Sequence, residues 1–510
     1  MKYMAATILI AMFLILPASA EDRNDLAGDF SRYEWTLENG DADWARRAGL
    51  QVVELDGQIY LIGGRTPLDP MEVPVPGAST IHGDVWRSGD QGSTWEQILA
   101  TEDEGHWPAR AYFQALTLGD EIFVIGGQDF NVIDNPDPEG PPLISFSNFF
   151  SDIWSSADGI EWTERTAAAG WEGRAGLSAV VFRDEIYVLG GSVNDDDAIG
   201  GPGGPPRIYF NDVWKSADGE NWEMVTDSAP WEPRAGGIAL SFNGYLYLVG
   251  GEAGFLCAPF PCDPPYFNDV WRTRDGVEWE LVTPEAEWSA RPGHQVVVVD
   301  KHMVLFGGFG LSDDPSDPFA PGNPMDVWAS GDGALWEQVD DTPWNAASPG
   351  DVKYDLDALV VDAGPNGLGP AILTFGGDRE TFDFTDFTNW LNVDNDVWRF
   401  TLPARFWLAD SSEMDKAAAA KFQLTTAPNP FNPITEIRFE LPGQSNGSLR
   451  IFDARGRRVN TLHDGVFAAG AQRFVWNGQD DTGRRMATGT YIYRLEVEGH
   501  VVTRKMVLAK

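Results

Sequence analysis

The stretch RAGLSAVVFRDEIYVLGG at residues 174–191, followed by NDVWKSADGENW at residues 211–222, contains one complete unit of a sequence repeat. Its apolar runs are short, rich in β-branched and aromatic residues, and bounded by turn residues, which is typical of β-strands. We assign two strands to the first stretch, a third to Asp212-Val213-Trp214 and a fourth that begins near Trp222. Similar units recur at intervals of roughly sixty residues, and such self-similarity indicates a repeat architecture.

The same period orders the tryptophans, because 18 of the 21 belong to three sets of six. Members of the first set follow Asp-Val or Asp-Ile: Trp86, Trp154, Trp214, Trp271, Trp328 and Trp398. The second set marks the fourth strand of a unit: Trp35, Trp95, Trp162, Trp222, Trp279 and Trp336. The third set follows 8 to 12 residues later: Trp44, Trp107, Trp171, Trp231, Trp288 and Trp344. A Gly-Gly pair ends the second strand of every unit: Gly63-Gly64, Gly126-Gly127, Gly190-Gly191, Gly250-Gly251, Gly307-Gly308 and Gly376-Gly377.

The two ends of the repeat region complement each other. The sixth unit stops after Asp396-Val397-Trp398-Arg399-Phe400 and lacks a fourth strand, whereas an additional strand at residues 33–37 precedes the first unit. Four short antiparallel strands per unit are typical of a β-propeller blade. We therefore predict an all-β fold with a six-bladed β-propeller over residues 30–405. Closure by the N-terminal strand would remove an exposed sheet edge.

These residues carry two family resemblances. The apolar run that ends in Gly-Gly, with a tryptophan later in every unit, resembles the kelch repeat. The turn from Ser88 to Trp95 resembles the Asp-box of sialidase-type propellers, and units two to five carry a shorter version, such as Ser156 to Trp162. The resemblances imply a propeller fold, and the Asp-box implies a structural turn on the face away from an active site.

The N-terminus points to export, and the charge distribution bears on the partners. Residues 1–20 combine Lys2, an apolar core and Ala18-Ser19-Ala20, which is the pattern of a secretory signal peptide. No other stretch is long enough to span a bilayer. The net charge is −42, although residues 424–510 contain 12 basic and 8 acidic residues. The strongly acidic remainder argues against nucleic acid and anionic membranes as partners, because both would be repelled.

The two cysteines, Cys257 and Cys262, flank Ala-Pro-Phe-Pro in the long loop of the fourth unit. In an exported protein, two cysteines in one loop predict a disulfide, here one that stiffens the loop.

The residues after the repeats form a linker and a smaller domain. Residues 406–423 are polar and alanine-rich, and residues 424–510 contain alternating strands that predict a small immunoglobulin-like β-sandwich. This domain resembles two related families, the C-terminal sorting domain of bacterial type IX secretion and the immunoglobulin-like domain of flagellar hook-cap proteins. The resemblance rests on residues 428–433, Trp476-Asn477-Gly478, Gly489-Thr490-Tyr491 and residues 503–507. The sorting-domain resemblance implies a secreted or cell-surface protein whose partner is the secretion machinery.

One face of the predicted propeller gathers six long loops, and long ordered loops on a rigid scaffold commonly bind ligands. The same face carries the start of each inner strand, where an arginine recurs in five units. These arginines, with a tyrosine at a position that is glycine in other units, are the candidate ligand-binding set: Arg47, Arg110, Tyr112, Arg174, Arg234 and Arg291. Guanidinium groups bind carboxylate or sulfate bidentately. Alternatively, each arginine pairs with the aspartate that precedes a first-set tryptophan: Asp84, Asp152, Asp212, Asp269 or Asp326.

Two acidic loops offer the hard oxygen ligands that calcium takes. The candidate ligands are Asp195, Asp196, Asp197, Asp313, Asp314 and Asp317. Neither loop matches a defined calcium motif, and solvated acidic loops are the alternative. No other cofactor is indicated.

We expect a binding protein that engages a carbohydrate or a protein through its long-loop face. The alternative is a sialidase-like or other glycan-processing enzyme, for which Arg110 and Tyr112 form the local break in symmetry. The sequence contains no nucleophile elbow, phosphate-binding loop or HExxH zinc signature. No catalytic residue is therefore assigned.

Overall fold

A computed structural model describes most of the chain. The described residues are 30, 33–75, 77–137, 139–140, 142–194, 207–254, 265–299, 301–310, 324–345, 352–361, 370–380, 391–402, 422, 424–453, 458–480, 484–497 and 500–509. The predicted signal peptide and nearly all of the predicted linker lie outside these residues. So do the predicted disulfide and calcium ligands: Cys257, Cys262, Asp195, Asp196, Asp197, Asp313, Asp314 and Asp317.

The repeats form antiparallel sheets whose strands follow one another along the chain. Strand β1 (Glu34–Asn39) precedes the first sheet, which contains β2 (Gln51–Leu55), β3 (Gln58–Pro67), β4 (Ser79–Ser88) and β5 (Glu96–Leu99). The second sheet contains β6 (Gln114–Leu118) and β7 (Glu121–Ile125), then, after the separate hairpin β8 (Asn131–Asp134) and β9 (Leu143–Phe146), β10 (Ile153–Ser156) and β11 (Thr163–Thr166). The third contains β12 (Ser178–Phe182) and β13 (Glu185–Leu189), then, after the separate pair β14 (Ser192–Val193) and β15 (Ile208–Tyr209), β16 (Val213–Ser216) and β17 (Glu223–Thr226).

The remaining three sheets follow the same order. The fourth contains β18 (Ile238–Phe242), β19 (Tyr245–Glu252), β20 (Tyr266–Thr273) and β21 (Trp279–Thr283). The fifth contains β22 (His294–Val299), β23 (His302–Gly307), β24 (Asp326–Ser330) and β25 (Glu337–Asp341), and a 3-10 helix (Pro343–Asn345) follows it. The sixth contains β26 (Asp357–Val361), β27 (Ala371–Asp378) and β28 (Val393–Thr401).

The sixth sheet takes its fourth strand from the other end of the repeat region. Strand β1 pairs antiparallel with β28, with Glu34 opposite Thr401 and Trp35 opposite Phe400. The first strand of every sheet contacts the first strand of the next sheet, and β26 contacts β2. The inner strands therefore contact one another in a closed cycle.

The three tryptophan sets have three different structural roles. Trp214 of the first set donates its Nε1 hydrogen bond to Asp212 at 2.8 Å. Trp162 of the second set donates to the carbonyl of Gly159 in its own turn at 3.1 Å. Members of the third set pack edge-on against the second set, as in Trp231 against Trp279, whose ring centroids lie 5.9 Å apart at 81°. Such aromatic pairs add stabilisation beyond the area that they bury.

The Gly-Gly pairs lie where neighbouring backbones approach closely. Gly127 has a φ of +94°, and a Cβ atom at this position would lie 2.6 Å from Cβ of Phe113. Both the conformation and the contact require glycine. The pair therefore fixes the end of the second strand against the start of the first.

The C-terminal residues form two further sheets. The strands are β29 (Thr425–Ala427), β30 (Thr435–Leu441), β31 (Ser445–Asp453), β32 (Arg458–Phe467), β33 (Gly470–Trp476), β34 (Gly489–Val497) and β35 (His500–Leu508). One sheet has the order β29-β30-β33, and the other has the order β32-β31-β34-β35. Residues of both sheets, including Phe439, Leu449, Trp476 and Tyr493, share one buried apolar cluster.

The predicted all-β class is confirmed by these antiparallel sheets. Among the described residues, no helix has the length and apolar character needed to cross a membrane.

Candidate functional site

Each arginine of the candidate set is buried and pairs bidentately with an aspartate. In the third sheet, Arg174 Nη1 and Nη2 donate to Asp212 Oδ1 and Oδ2 at 2.5 and 3.0 Å. Arg174 also donates to the carbonyls of Glu172 and Gly190, each at 3.0 Å. The same pairing recurs in Arg47–Asp84, Arg110–Asp152, Arg234–Asp269 and Arg291–Asp326.

This geometry corrects the ligand-binding role considered for five residues: Arg47, Arg110, Arg174, Arg234 and Arg291. Their exposure is 2% or less, and the aspartate occupies the edge of the guanidinium that would bind a ligand carboxylate. The alternative interpretation, a structural ion pair in each repeat, is the one that the structure shows. In the sixth repeat Lys353 replaces arginine and contacts both Asp396 and Asp394, the latter at 3.0 Å.

Two residues after each of these basic residues lies a position with a left-handed backbone, and we call the six positions the axial ring. Its members are Gly49, Tyr112, Gly176, Gly236, Gly293 and Asp355, with φ between +49° and +65°. Their backbones are hydrogen-bonded from one sheet to the next: Gly49 N to Asp355 O at 2.9 Å, Tyr112 N to Gly49 O at 3.0 Å, Gly176 N to Tyr112 O at 2.8 Å, Gly236 N to Gly176 O at 2.8 Å and Asp355 N to Gly293 O at 3.0 Å. The ring thus joins the starts of the inner strands.

Tyr112 and Asp355 are the two members of the axial ring that carry side chains. A non-glycine residue at positive φ is uncommon, and the strain of about 1–3 kcal/mol is concentrated at functional sites in proteins. A Cβ atom on Gly49 would lie 3.0 Å from Tyr112 Cε1, and one on Gly293 would lie 2.7 Å from Asp355 Oδ1. Glycine at the neighbouring positions therefore leaves room for both side chains.

Arg65 links Tyr112 to the sixth sheet. Its Nε donates to Tyr112 Oη at 2.6 Å, and its Nη2 donates to Asp378 Oδ2 at 2.6 Å. Asp378 Oδ1 accepts a hydrogen bond from the backbone N–H of Glu380 at 3.0 Å. Tyr354, next to Asp355 in the chain, exchanges two backbone hydrogen bonds with Asp378. We call these six residues the Arg65 cluster: Arg65, Tyr112, Tyr354, Asp355, Asp378 and Glu380.

The acidic groups of the cluster titrate differently from ordinary carboxyls. Burial and then the Asp378 charge raise the pKa of Glu380, against the attraction of Arg65, to about 8. Burial also raises the pKa of Asp378, against the attraction of Arg65. Burial raises the pKa of Tyr354 well above its ordinary value. The raised pKa favours the protonated form of Glu380, beside the Asp378 carboxyl that accepts a hydrogen bond from Arg65.

The sequence contained a signal for Arg65 and Asp378 that our sequence reasoning missed. Both directly follow a Gly-Gly pair, and this position differs in every repeat: Arg65, Gln128, Ser192, Glu252, Phe309 and Asp378. When one position varies within an otherwise regular repeat, its side chains are not needed to build the scaffold. Such a position is a candidate for function. Glu380 and Tyr354 carried no comparable signal.

Among the described residues, no group of three or more His, Cys, Asp or Glu side chains is arranged to hold a metal ion. The calcium prediction concerns loops outside those residues and stays a prediction.

Comparison with known proteins gives the relationships of both parts of the chain. Residues 432–500 match the FlgD Ig-like domain family. The repeat region is similar to Kelch repeat protein M-T8 of Myxoma virus (strain Lausanne), with 29% identity over 196 residues, 38% of this chain and 31% of that protein. The repeats are kelch-like.

Two further similarities involve the repeats. The Leucine-zipper-like transcriptional regulator 1 homolog of Drosophila melanogaster is 23% identical over 316 residues, 60% of this chain and 29% of that protein. The chain thus spans less than a third of the length of either curated relative. The solved structure of YjhT aligns with 71% of this chain and 96% of its own, at 14% identity and a TM-score of 0.48.

Proposed function

We propose that the six kelch-like repeats close into a six-bladed propeller that binds a ligand at the Arg65 cluster. The closed cycle of inner strands and the pairing of β1 with β28 support this architecture. Arg65 and Asp378 follow the Gly-Gly pairs at the ends of second strands, where the long connections begin. The ligand therefore approaches from the loop-bearing face.

The observation that carries the proposal is the break in symmetry at the axial ring. Glycine suffices at four of its positions, so Tyr112 and Asp355 are not needed to build the ring. Both are partly exposed, as is Arg65. An aromatic ring beside carboxylates and a guanidinium offers an apolar surface with a few oriented polar groups, as in typical ligand sites. A carbohydrate or a polar protein segment fits this chemistry.

Replacement of Tyr112 by glycine is expected to weaken ligand binding at least about tenfold while the fold is retained. Glycine adopts the required φ without strain, so the thermal midpoint should stay equal or rise. A glycan array screened with purified residues 21–405, with and without calcium, would identify the ligand, and titration calorimetry would give the affinity of both proteins.

Asn243→Gly is the matched control, because Asn243 also has a positive φ, +49°, but lies in the turn between β18 and β19. It should leave the affinity unchanged. Equal affinity of wild type and Tyr112→Gly for the same glycan would place the binding site elsewhere and reject the proposed site.

Glycan processing is the second candidate function, and one observation favours it. Burial raises the pKa of both Glu380 and Asp378, and a carboxyl with a raised pKa that lies close to a guanidinium is typical of acid–base chemistry. Incubation with sialosides and other glycosides tests it: turnover that disappears in Glu380→Gln would support an enzyme, and intact glycans would support binding alone.

We further propose that the protein is exported and displayed at a bacterial cell surface. The signal-like residues 1–20 and the FlgD Ig-like domain, which resembles a type IX sorting domain, support this route. The secretion machinery would recognise the C-terminal domain, and the propeller would be its cargo.

Deletion of residues 406–510 is expected to leave a folded propeller that no longer reaches the cell surface. The repeats and the C-terminal domain have separate apolar cores, so the deletion removes no core residue of the repeats. Circular dichroism and surface labelling of intact cells measure the two consequences. Undiminished surface labelling of the truncated protein would rule out a sorting role.

A further inference from the structure

We call the contact between the first strands of two neighbouring sheets a seam, so the seam between the sixth and first sheets is formed by β26 and β2. One position in this seam carries a different type of side chain from the seams described next. At the seam between the first and second sheets, the Gln51 side-chain oxygen accepts the Ala115 N–H at 3.1 Å. At the next seam, Gln114 accepts the Ala179 N–H at 3.3 Å. At the seam between the sixth and first sheets, Asp357 occupies the corresponding position and accepts the Val52 N–H at 2.6 Å. A titratable carboxyl thus stands where the first two of these seams carry an amide.

Asp357 lies deep in the seam. It is 7% exposed, and its second oxygen accepts the N–H of Ala358 at 2.8 Å. Burial raises the pKa of Asp357 to about 7, although both N–H groups favour the charged form. The carboxyl is therefore neutral in mildly acid solution and becomes charged near neutral pH.

Within the part of the chain that the structure describes, few charged groups lie near this carboxyl. The titratable residues on the strands packed around it are Glu54 of β2, His294 of β22 and Asp378 of β27. Glu54 is exposed, and His294 is buried, with its pKa lowered to about 4 by burial and by the Arg291 charge. Neither supplies a positive charge to Asp357 near neutral pH.

The same seam is crossed by the ion pair of the Arg65 cluster. Arg65 belongs to the first sheet and Asp378 to the sixth, and their contact is 2.6 Å. Glu380 follows Asp378 and is also buried. Ionisation of Glu380 would place a second negative charge beside Asp378 in competition for Arg65.

We propose that this seam is a pH-sensitive joint of the ring, held closed while Asp357 and Glu380 are neutral and loosened when they ionise. The joint itself is independent of the proposed function. Opening of the joint would also separate Arg65 from Asp378, which lie on opposite sides of the seam, and so weaken binding at the Arg65 cluster. This second effect rests on the proposed function.

The direction of the pH effect follows from proton linkage. Both carboxyls bind protons more tightly in the closed seam than in an open chain, so the open state loses protons first as the pH rises. The resistance to opening therefore falls between about pH 4 and about pH 8, the interval between their ordinary and raised pKa values.

Hydrogen–deuterium exchange of the full chain at about pH 5 and about pH 9 tests the joint, after correction for intrinsic exchange rates. The protection of β1, β2, β26 and β28 should fall at least about tenfold more than that of β12 and β18. Asp357→Asn and Glu380→Gln should each reduce this difference, and the double variant should abolish it. An equal change in all sheets, or an undiminished difference in the double variant, would overturn the proposal.

Gln114→Glu is the reciprocal control, because it introduces a carboxyl at the seam between the second and third sheets. It should create pH-dependent exchange in β6 and β12, and unchanged exchange there would count against the mechanism. Hydrogen exchange requires no ligand, so it tests the pH-sensitive joint separately from ligand binding at Tyr112. Either proposal can therefore be rejected while the other is retained. Melting curves at about pH 5 establish beforehand that each variant is folded.

Discussion

Asp212→Ala is expected to lower the free energy of unfolding by about 3–5 kcal/mol, because it leaves a buried guanidinium without its counter-charge. Arg174 is 1% exposed, and Asp212 accepts hydrogen bonds from both of its terminal nitrogens. Trp214 Nε1 loses its acceptor in the same variant. Urea denaturation followed by tryptophan fluorescence measures the change.

Glu96→Ala is the control for this variant. Glu96 pairs with Arg87 at 3.0 Å, but its side chain is 70% exposed, and an exposed pair contributes less than about 1 kcal/mol. If Asp212→Ala lost no more stability than Glu96→Ala, the arginine–aspartate pairs would not be structural, and their ligand-binding role would have to be reconsidered.

Arg399→Ala is expected to have the second large effect, about 3 kcal/mol, because Arg399 is a buried cation that fastens the two ends of the repeat region together. Its Nε donates to Glu38 of β1 at 2.8 Å, and its Nη2 donates to Gln91 Oε1 of the first repeat at 3.2 Å. Burial lowers the pKa of Arg399, and the Glu38 charge opposes this. Chemical denaturation gives the stability, and exchange of β1 amides locates the loss.

The corresponding residue of the fourth sheet provides the control. Arg272 also follows a first-set tryptophan and pairs with Glu280 at 2.8 Å, but the Glu280 side chain is 59% exposed. Arg272→Ala should therefore change stability by less than about 1 kcal/mol. Equal losses in the two variants, without faster exchange in β1, would contradict the fastening role of Arg399.

The repeat was predictable from the sequence because contacts between residues close together in the chain determine it. Strand periodicity, the Gly-Gly pairs and the tryptophan spacing each follow from contacts within one repeat or between neighbours. The missing last strand and the additional first strand indicated the pairing of β1 with β28, which the structure contains. Gln91 is the additional residue of the first Asp-box-like turn, and its side-chain oxygen accepts a hydrogen bond from Arg399.

The site was less predictable because its contacts join distant parts of the chain. Arg65 and Asp378 are 313 residues apart, and their contact depends on the sixth sheet lying beside the first. The five arginines were candidate ligand-binding residues because they recur from repeat to repeat. A residue that recurs in this way meets a structural requirement of the scaffold instead. Tyr112 was identified because it replaces glycine, and the same reasoning applied to Asp355 would have led to the axial ring.

A crystal structure of the protein soaked with the strongest glycan from the array would test the central claim most directly. We predict the glycan over the axial ring, in contact with Tyr112 and Arg65, within a closed ring of six four-stranded sheets. A glycan bound to the outer strands or to the C-terminal domain, with the Arg65 cluster untouched, would contradict the account.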